Sequence, residues 1–178
     1  MSSAAWRLCN AVFAMAAAFS SEPRHDLFVG VSGAAAVLTG LLFVSLSINL
    51  QQILGQAWLP RRAALTLVLL FEALVIAILG LVPGQSPAAF AVELLGVGGA
   101  GWLFATGVFT VRRPAIDQRA PILVNAVATQ LATLPVIVAG GSLLARSGGG
   151  LYWLVPAFVL LLGVGVMIAW VLLIEILR

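Results

Sequence analysis

The sequence predicts an all-α integral membrane bundle, about five transmembrane helices with an N-terminal interfacial helix, and three observations lead there. Hydrophobic residues make up 62% of the chain and charged residues 8%, with a mean hydropathy of +1.16, more apolar surface than a soluble domain can hide. The apolar residues gather in runs of ~20 or more, the length a helix needs to cross the hydrocarbon core. No run alternates with period two, and a spanning segment must satisfy its own backbone hydrogen bonds, so the runs are helices.

In chain order, Ala4 to Phe19 comes first, with Arg7 and Asn10 on a narrow polar strip. About sixteen residues are short for a span, so the segment reads as an interfacial helix. A short extra span and a signal-like segment, with Ala16-Ala17-Ala18 before the polar residues, are the alternatives. The first span, 27–50, carries Ser32, Ala36 and Gly40 at i+4 spacing, the pattern that lets helix backbones approach closely. Its end turns polar at Ser45, Ser47, Asn49, Gln51 and Gln52, which fits an exit into headgroups better than an inner vestibule shared with Asn125.

Pro60-Arg61-Arg62 separates the first span from the second, 63–82, and Pro83-Gly84-Gln85-Ser86-Pro87 makes a tight uncharged turn into the third, 88–111. Gly96, Gly98, Gly99 and Gly101 in the third span are too irregular for a nucleotide loop and read as close packing around Trp102. Arg112-Arg113-Pro114 ends that span, and Ser147-Gly148-Gly149-Gly150 links the fourth, 121–144, to the last, 151–174. The last span has no strongly polar group before Glu175 and carries Tyr152, Trp153 and Trp170 at its ends as interface belts, so it is expected to be the lipid-facing wall. Residues 1–178 thus form a single transmembrane domain, and an odd number of spans argues against an inverted repeat.

Orientation follows from the nine arginines, there being no lysine. With the first span starting outside, Arg61, Arg62, Arg112, Arg113, Arg119 and Arg178 lie in the cytoplasm and Arg7, Arg24 and Arg146 outside, which puts the C-terminus inside. Lysine-free, alanine- and glycine-rich usage associates the chain with a GC-rich bacterial genome, hence with the bacterial cytoplasmic (inner) membrane. Arginines at the ends of apolar runs anchor headgroups and are no nucleic-acid footprint.

Polar groups inside the spans are the candidates for function. Glu72 lies near the middle of the second span, where a carboxylate costs at least a few kcal/mol unless protonated, paired or facing water. Counting ~1.5 Å per residue from the outer turn places Glu72 roughly 16 Å deep and Glu93 roughly 8 Å deep, too far apart for one carboxylate dyad. Glu93 shares a face with Gly96 and Ala100 and is expected to point into a close helix contact. Glu72 has only Val68, Leu69, Val75 and Ile76 beside it on its own helix, so its partner must come from elsewhere, with Gln130, Thr133 and Thr39 at suitable depth. Asn125, Thr129 and Thr133 at i+4 spacing, with Gln130 beside them, give the fourth span a polar side about 140° wide, and Pro135 follows. That side reads either as helix packing or as a hydrated pathway.

Enzyme classes fare poorly. Gly30-Val31-Ser32-Gly33 resembles the serine motif of rhomboid proteases, but the sole histidine, His25, precedes the serine on the same helix and no second-helix histidine exists. One cysteine, Cys9, excludes an intrachain disulfide and a multi-cysteine metal site. Asp117 is the only loop acid near the cytoplasmic arginines, too little for phosphoryl transfer. No catalytic residue, metal site or cofactor is therefore expected.

Gly40-Leu41-Leu42-Phe43-Val44-Ser45-Leu46-Ser47-Ile48-Asn49 followed by Leu59-Pro60-Arg61-Arg62 resembles a segment of small bacterial multi-spanning membrane proteins. Some of that group are labelled modulators of a membrane-bound ATP-dependent protease; the resemblance brings no activity and no site residues. Two functions remain in view. One is a homo-oligomeric channel or transporter for protons, cations or a small solute, with Glu72, Gln130, Thr133, Thr129, Asn125 and Glu93 along its path. The other is a non-transporting scaffold or regulatory subunit of a larger membrane complex.

Overall fold

The computed structural model describes residues 24–55, 59–110 and 119–176, with side chains left out at 109–110, 119–123 and 175–176. The segment 4–19, expected at the interface, lies outside them, as do Arg112, Arg113, Asp117 and the side chain of Glu175. The described chain is helical with no strand: α1 His25–Ile48, a short α2 Leu50–Leu54, α3 Leu59–Gly80, α4 Pro87–Thr110, α5 Arg119–Leu144, a 3-10 turn Gly150–Trp153 and α6 Leu154–Ile176. Five stretches are long and apolar enough to cross a membrane, His25–Ile48, Leu59–Gly80, Pro87–Val108, Val124–Leu144 and Gly150–Ile174. The expected bundle is therefore the observed one.

Two boundaries differ for identifiable reasons. α1 stops at Ile48, where the Asn49 side chain joins its own backbone N–H in donating to the Ser45 carbonyl, at 2.9 and 3.3 Å, and helix resumes at Leu50. Pro60, Arg61 and Arg62, expected as a separator, form the first turn of α3 instead. Proline is well tolerated there, since its missing N–H has no intrahelical partner to lose.

Helix α3 is the axis of the bundle and packs against α1, α4 and α6, while α5 packs against α4 and α6. α3, α4, α5 and α6 thereby close a ring, and α1 lies outside it against α3. Without water to expel, helices in lipid associate by fit. Fit here is made at glycines. A Cβ on Gly80 would lie 2.7 Å from the Phe28 ring, and one on Gly98 3.0 Å from Val136; on Gly140 it would lie 2.9 Å from Leu95, and on Gly165 2.9 Å from Leu70. Phe28, fully buried, also meets Phe90 and Phe158 edge to face, with centroids 6.2 and 6.1 Å away. That cluster closes one end of the bundle. At the other, the arginine end, Ile53, Leu59, Ala63 and Leu172 fold α2 back onto α3 and α6.

Three expected packing faces turn out otherwise. α1 does not pack through Ser32, Ala36 and Gly40: the Ser32 hydroxyl donates to Val29 O of its own helix, Ala36 and Gly40 are exposed, and Phe28, Val31, Ala35 and Leu42 make the contact. Seating Phe28 over Gly80 sets the rotation of α1 and turns the small stripe outward. α6 is not simply a lipid-facing wall, since Leu154, Ala157, Phe158, Leu161, Ile168 and Leu172 enter the core while Val159, Met167 and Trp170 face out. In α4, Gly98 and Gly101 make close contacts whereas Gly96 and Gly99 are open, so the packing is not centred on the half-buried Trp102.

The glycine fit is testable. Gly80→Ala forces the Phe28 ring out of its seat and should cost about 1–3 kcal/mol, whereas Gly33→Ala, with nothing near its Cβ, should change stability by less than ~0.5 kcal/mol. Denaturation of the two variants in detergent micelles measures the contrast, and equal losses would contradict it.

Candidate functional site

Glu72 projects from the middle of α3 into the contact with α4 and is 3% exposed. It can sit there because α4 presents a glycine: a Cβ on Gly101 would lie 2.5 Å from Glu72 Oε2 and 3.0 Å from its carboxyl carbon. The tight turn at 81–86 makes α3 and α4 an antiparallel hairpin, which brings the glycine-rich part of α4 opposite the carboxyl. Neither Glu72 oxygen has a hydrogen-bond partner among the described residues, and the Oε1 atom of Gln130 is buried in the same condition.

Gln130, Thr133 and Thr39, expected at hydrogen-bonding depth, do not pair with Glu72. Each threonine instead donates to its own helix: Thr39 to Ala35 O at 2.7 Å, Thr129 to Asn125 O at 2.8 Å, and Thr133 to Thr129 O and Gln130 O at 3.3 and 3.2 Å. A helical threonine finds the carbonyl three or four residues back more readily than a partner across an interface. Depth is nonetheless shared. With Gly98 against Val136 and Gly140 against Leu95, α4 and α5 run antiparallel in a register that sets Gly101 level with about Thr133, one turn from Thr129. Thr129 and Thr133 are buried and Asn125 is half-buried, so the polar side of α5 is turned from the outer surface except at its arginine end.

Glu93 belongs to a different place. Its Oε2 accepts a 2.5 Å hydrogen bond from Gln85 Nε2 in the turn before α4, while Gly96 and Ala100, the face it was expected to share in a helix contact, are exposed. The half-buried carboxyl is thus tied back to the end of the bundle. Gln85 and Gly101 were both missed as partners, although reflecting Glu72 through the Pro83–Pro87 turn lands on Gly98, within one helical turn of Gly101. His25 lies exposed beside Asp26 at 3.8 Å, away from Glu72, and no group of metal-ligating side chains occurs among the described residues.

Two surface grooves are apolar. One, about 180 Å³, runs between α1 and α6 over Leu70, and the other lies on Gly99, Trp102, Leu103, Leu134 and Ile137. Neither is lined by Glu72 or Gln130. Chemically, then, the site is an oxygen-only acceptor in the bundle interior with no donor assigned to it. No protein-family model matches the chain, and no curated protein or solved structure is significantly similar to it.

The seat of the carboxyl can be probed by size. Gly101→Ala should push the Glu72 carboxyl off α4 at a cost of about 1–3 kcal/mol, and shortening the side chain with Glu72→Asp in the same molecule should recover most of that loss. Unfolding of the two single variants and the double variant gives the coupling. Strict additivity would mean the two residues do not touch.

Proposed function

We propose that this chain is a small membrane transport protein for protons or other small cations, with Glu72 as the group that takes up and releases the ion. The observation that carries this reading is the unpartnered state of both Glu72 oxygens in the bundle interior. A carboxyl kept only for packing is expected to hold a hydrogen-bonded partner, because an unmade bond on a buried polar group costs about 1–3 kcal/mol. Ionisable groups held inside membranes against such a cost mark ion and proton paths. The polar side of α5 at similar depth, Thr133, Thr129, Gln130 and Asn125, supplies a run of polar groups from the level of Glu72 toward the arginine end. Since Glu72 is enclosed by one copy of the chain, the homo-oligomer would be an array of complete units.

One observation favours the second reading, a non-transporting subunit of a larger membrane complex. Small residues stand exposed in the apolar zone on α1, at Gly33, Ala36 and Gly40, and on α4, at Gly96 and Ala100, where another helix could approach closely. In that reading Glu72 is sealed against Gly101 and does no exchange.

Glu72→Gln separates the two, because the amide preserves size and hydrogen bonding but cannot ionise. For a transporter, the purified variant in proteoliposomes should keep its fold and lose ion flux to the empty-vesicle rate, whereas a docking subunit should tolerate Gln in every assay. Wild-type vesicles that pass no proton or monovalent cation above background would remove support for transport.

Orientation belongs to the same proposal: a bacterial inner-membrane protein with the loops 51–62 and 112–120 and the C-terminus in the cytoplasm, from the arginine bias. Asp117→Cys in a Cys9→Ser background should react with a membrane-impermeant maleimide only after cells are opened. Strong labelling of intact cells would invert the topology.

A further inference from the structure

Resting on the transport reading, we infer that the ion Glu72 takes is a proton and not a metal cation. The two differ in what they ask of a site. A desolvated metal cation needs a shell of several oxygens, and membrane transporters supply it by breaking helices so that unwound backbone carbonyls turn toward the ion. A proton needs one oxygen.

The surroundings of Glu72 offer the second and not the first. α3 is continuous from Leu59 to Gly80 and α4 from Pro87 to Thr110, so the carbonyls around Glu72 and Gly101 are engaged in helical hydrogen bonds. Only α5 holds an internal proline, Pro135, and the one carbonyl it frees, that of Leu131, belongs to α5 and not to α3 or α4, between which the carboxyl is seated. Gly101 contributes no side chain at all, and what surrounds the carboxyl on its own helix is Val68, Leu69, Val75 and Ile76. Thr129, Thr133 and Gln130, the other side-chain oxygens near that depth, make no hydrogen bond to Glu72. Two carboxyl oxygens with no hydrogen-bonded neighbour among the described residues make a proton-sized site.

Among the described residues no other charge sits at that depth to compete. On α3 the nearest titratable groups are Arg61 and Arg62 in its first turn, and on α4 it is Glu93, held by Gln85. α5 carries none after Arg119 and α6 none before Glu175, while His25 and Asp26 lie at the far end of α1. The occupancy of Glu72 is therefore set by its own proton, with no neighbouring ion pair to replace it.

The experiment uses the full chain in lipid vesicles and has two readouts. First, imposed gradients of protons, sodium and potassium are followed with a pH-sensitive dye and with radioactive sodium and rubidium. Proton flux that Glu72→Gln abolishes, without sodium or rubidium flux, is the expected result. Sodium or rubidium flux that the variant abolishes would overturn the proton assignment while leaving the transport reading standing. Second, dicyclohexylcarbodiimide is applied to the wild type and the adduct mapped by mass spectrometry. The acid O–H adds across one C=N bond, its proton going to nitrogen and its oxygen to carbon, and the acylisourea rearranges to a stable acylurea with no atom lost. Labelling of Glu72 that excess sodium or potassium leaves unchanged supports a proton site even where no flux is seen, in which case transport alone falls. Protection by either cation, or no labelling of Glu72 in folded protein, refutes it.

Discussion

Close approach of backbones at glycine holds this bundle together and also makes room for the enclosed carboxyl of Glu72. In water, burying an apolar face would drive two helices together almost regardless of detail. In hydrocarbon that drive is absent, and contact depends on dispersion between surfaces that fit. Gly80, Gly98, Gly140 and Gly165 each receive a side chain from a neighbouring helix, and Gly101 receives Glu72 in the same manner. Three features follow from which side chain meets which glycine: the rotation of α1 from Phe28, the register of α4 on α5 from Val136 and Leu95, and the seating of the carboxyl at Gly101.

The sequence was most legible where the bilayer dictates it. Length and apolarity place a spanning helix without reference to its neighbours, so the five spans came out within a few residues of the observed helices. Interhelical pairing was less legible because the rules that locate an interface are degenerate. Ser32, Ala36 and Gly40 satisfy the small-residue pattern as well as any contact in the chain, yet α1 turns them outward, because one phenylalanine in a deep seat outweighs a shallow stripe. Likewise Thr133 and Thr39 stood at the right depth for Glu72 and paired with their own backbone. Depth is a one-dimensional coordinate and a hydrogen bond requires three. Glu72 itself was legible as the outlying residue, since an acid amid Val, Leu and Ile needs no structure to be noticed, but the residue that makes room for it, Gly101, carries no chemical signature to search for.

Polarity is distributed unevenly along the bundle axis, and this bears on how an ion could reach the carboxyl. From Glu72 to the Phe28 end is the shorter path, about eight residues or ~12 Å of α3. That path is lined by Ala73, Ile76, Ala77, Leu94, Val136 and Ala139 and closed by the edge-to-face phenylalanines, with no side-chain polar atom among the fully buried residues. Toward the arginine end the distance is greater, about thirteen residues or ~20 Å, yet Thr133, Gln130, Thr129 and Asn125 occur along it at intervals of a helical turn or less. For a charge in low dielectric the barrier depends on the depth of unrelieved apolar medium more than on length, since each polar group or admitted water lowers the local solvation cost. The shorter route is thus the dearer one for an ion, and a single buried carboxyl placed off-centre between a polar half and an aromatic half has water-like neighbours on one side only. On the transport proposed above, exchange with both compartments would require the packed contacts among Phe28, Phe90 and Phe158 to open, since they close the apolar half.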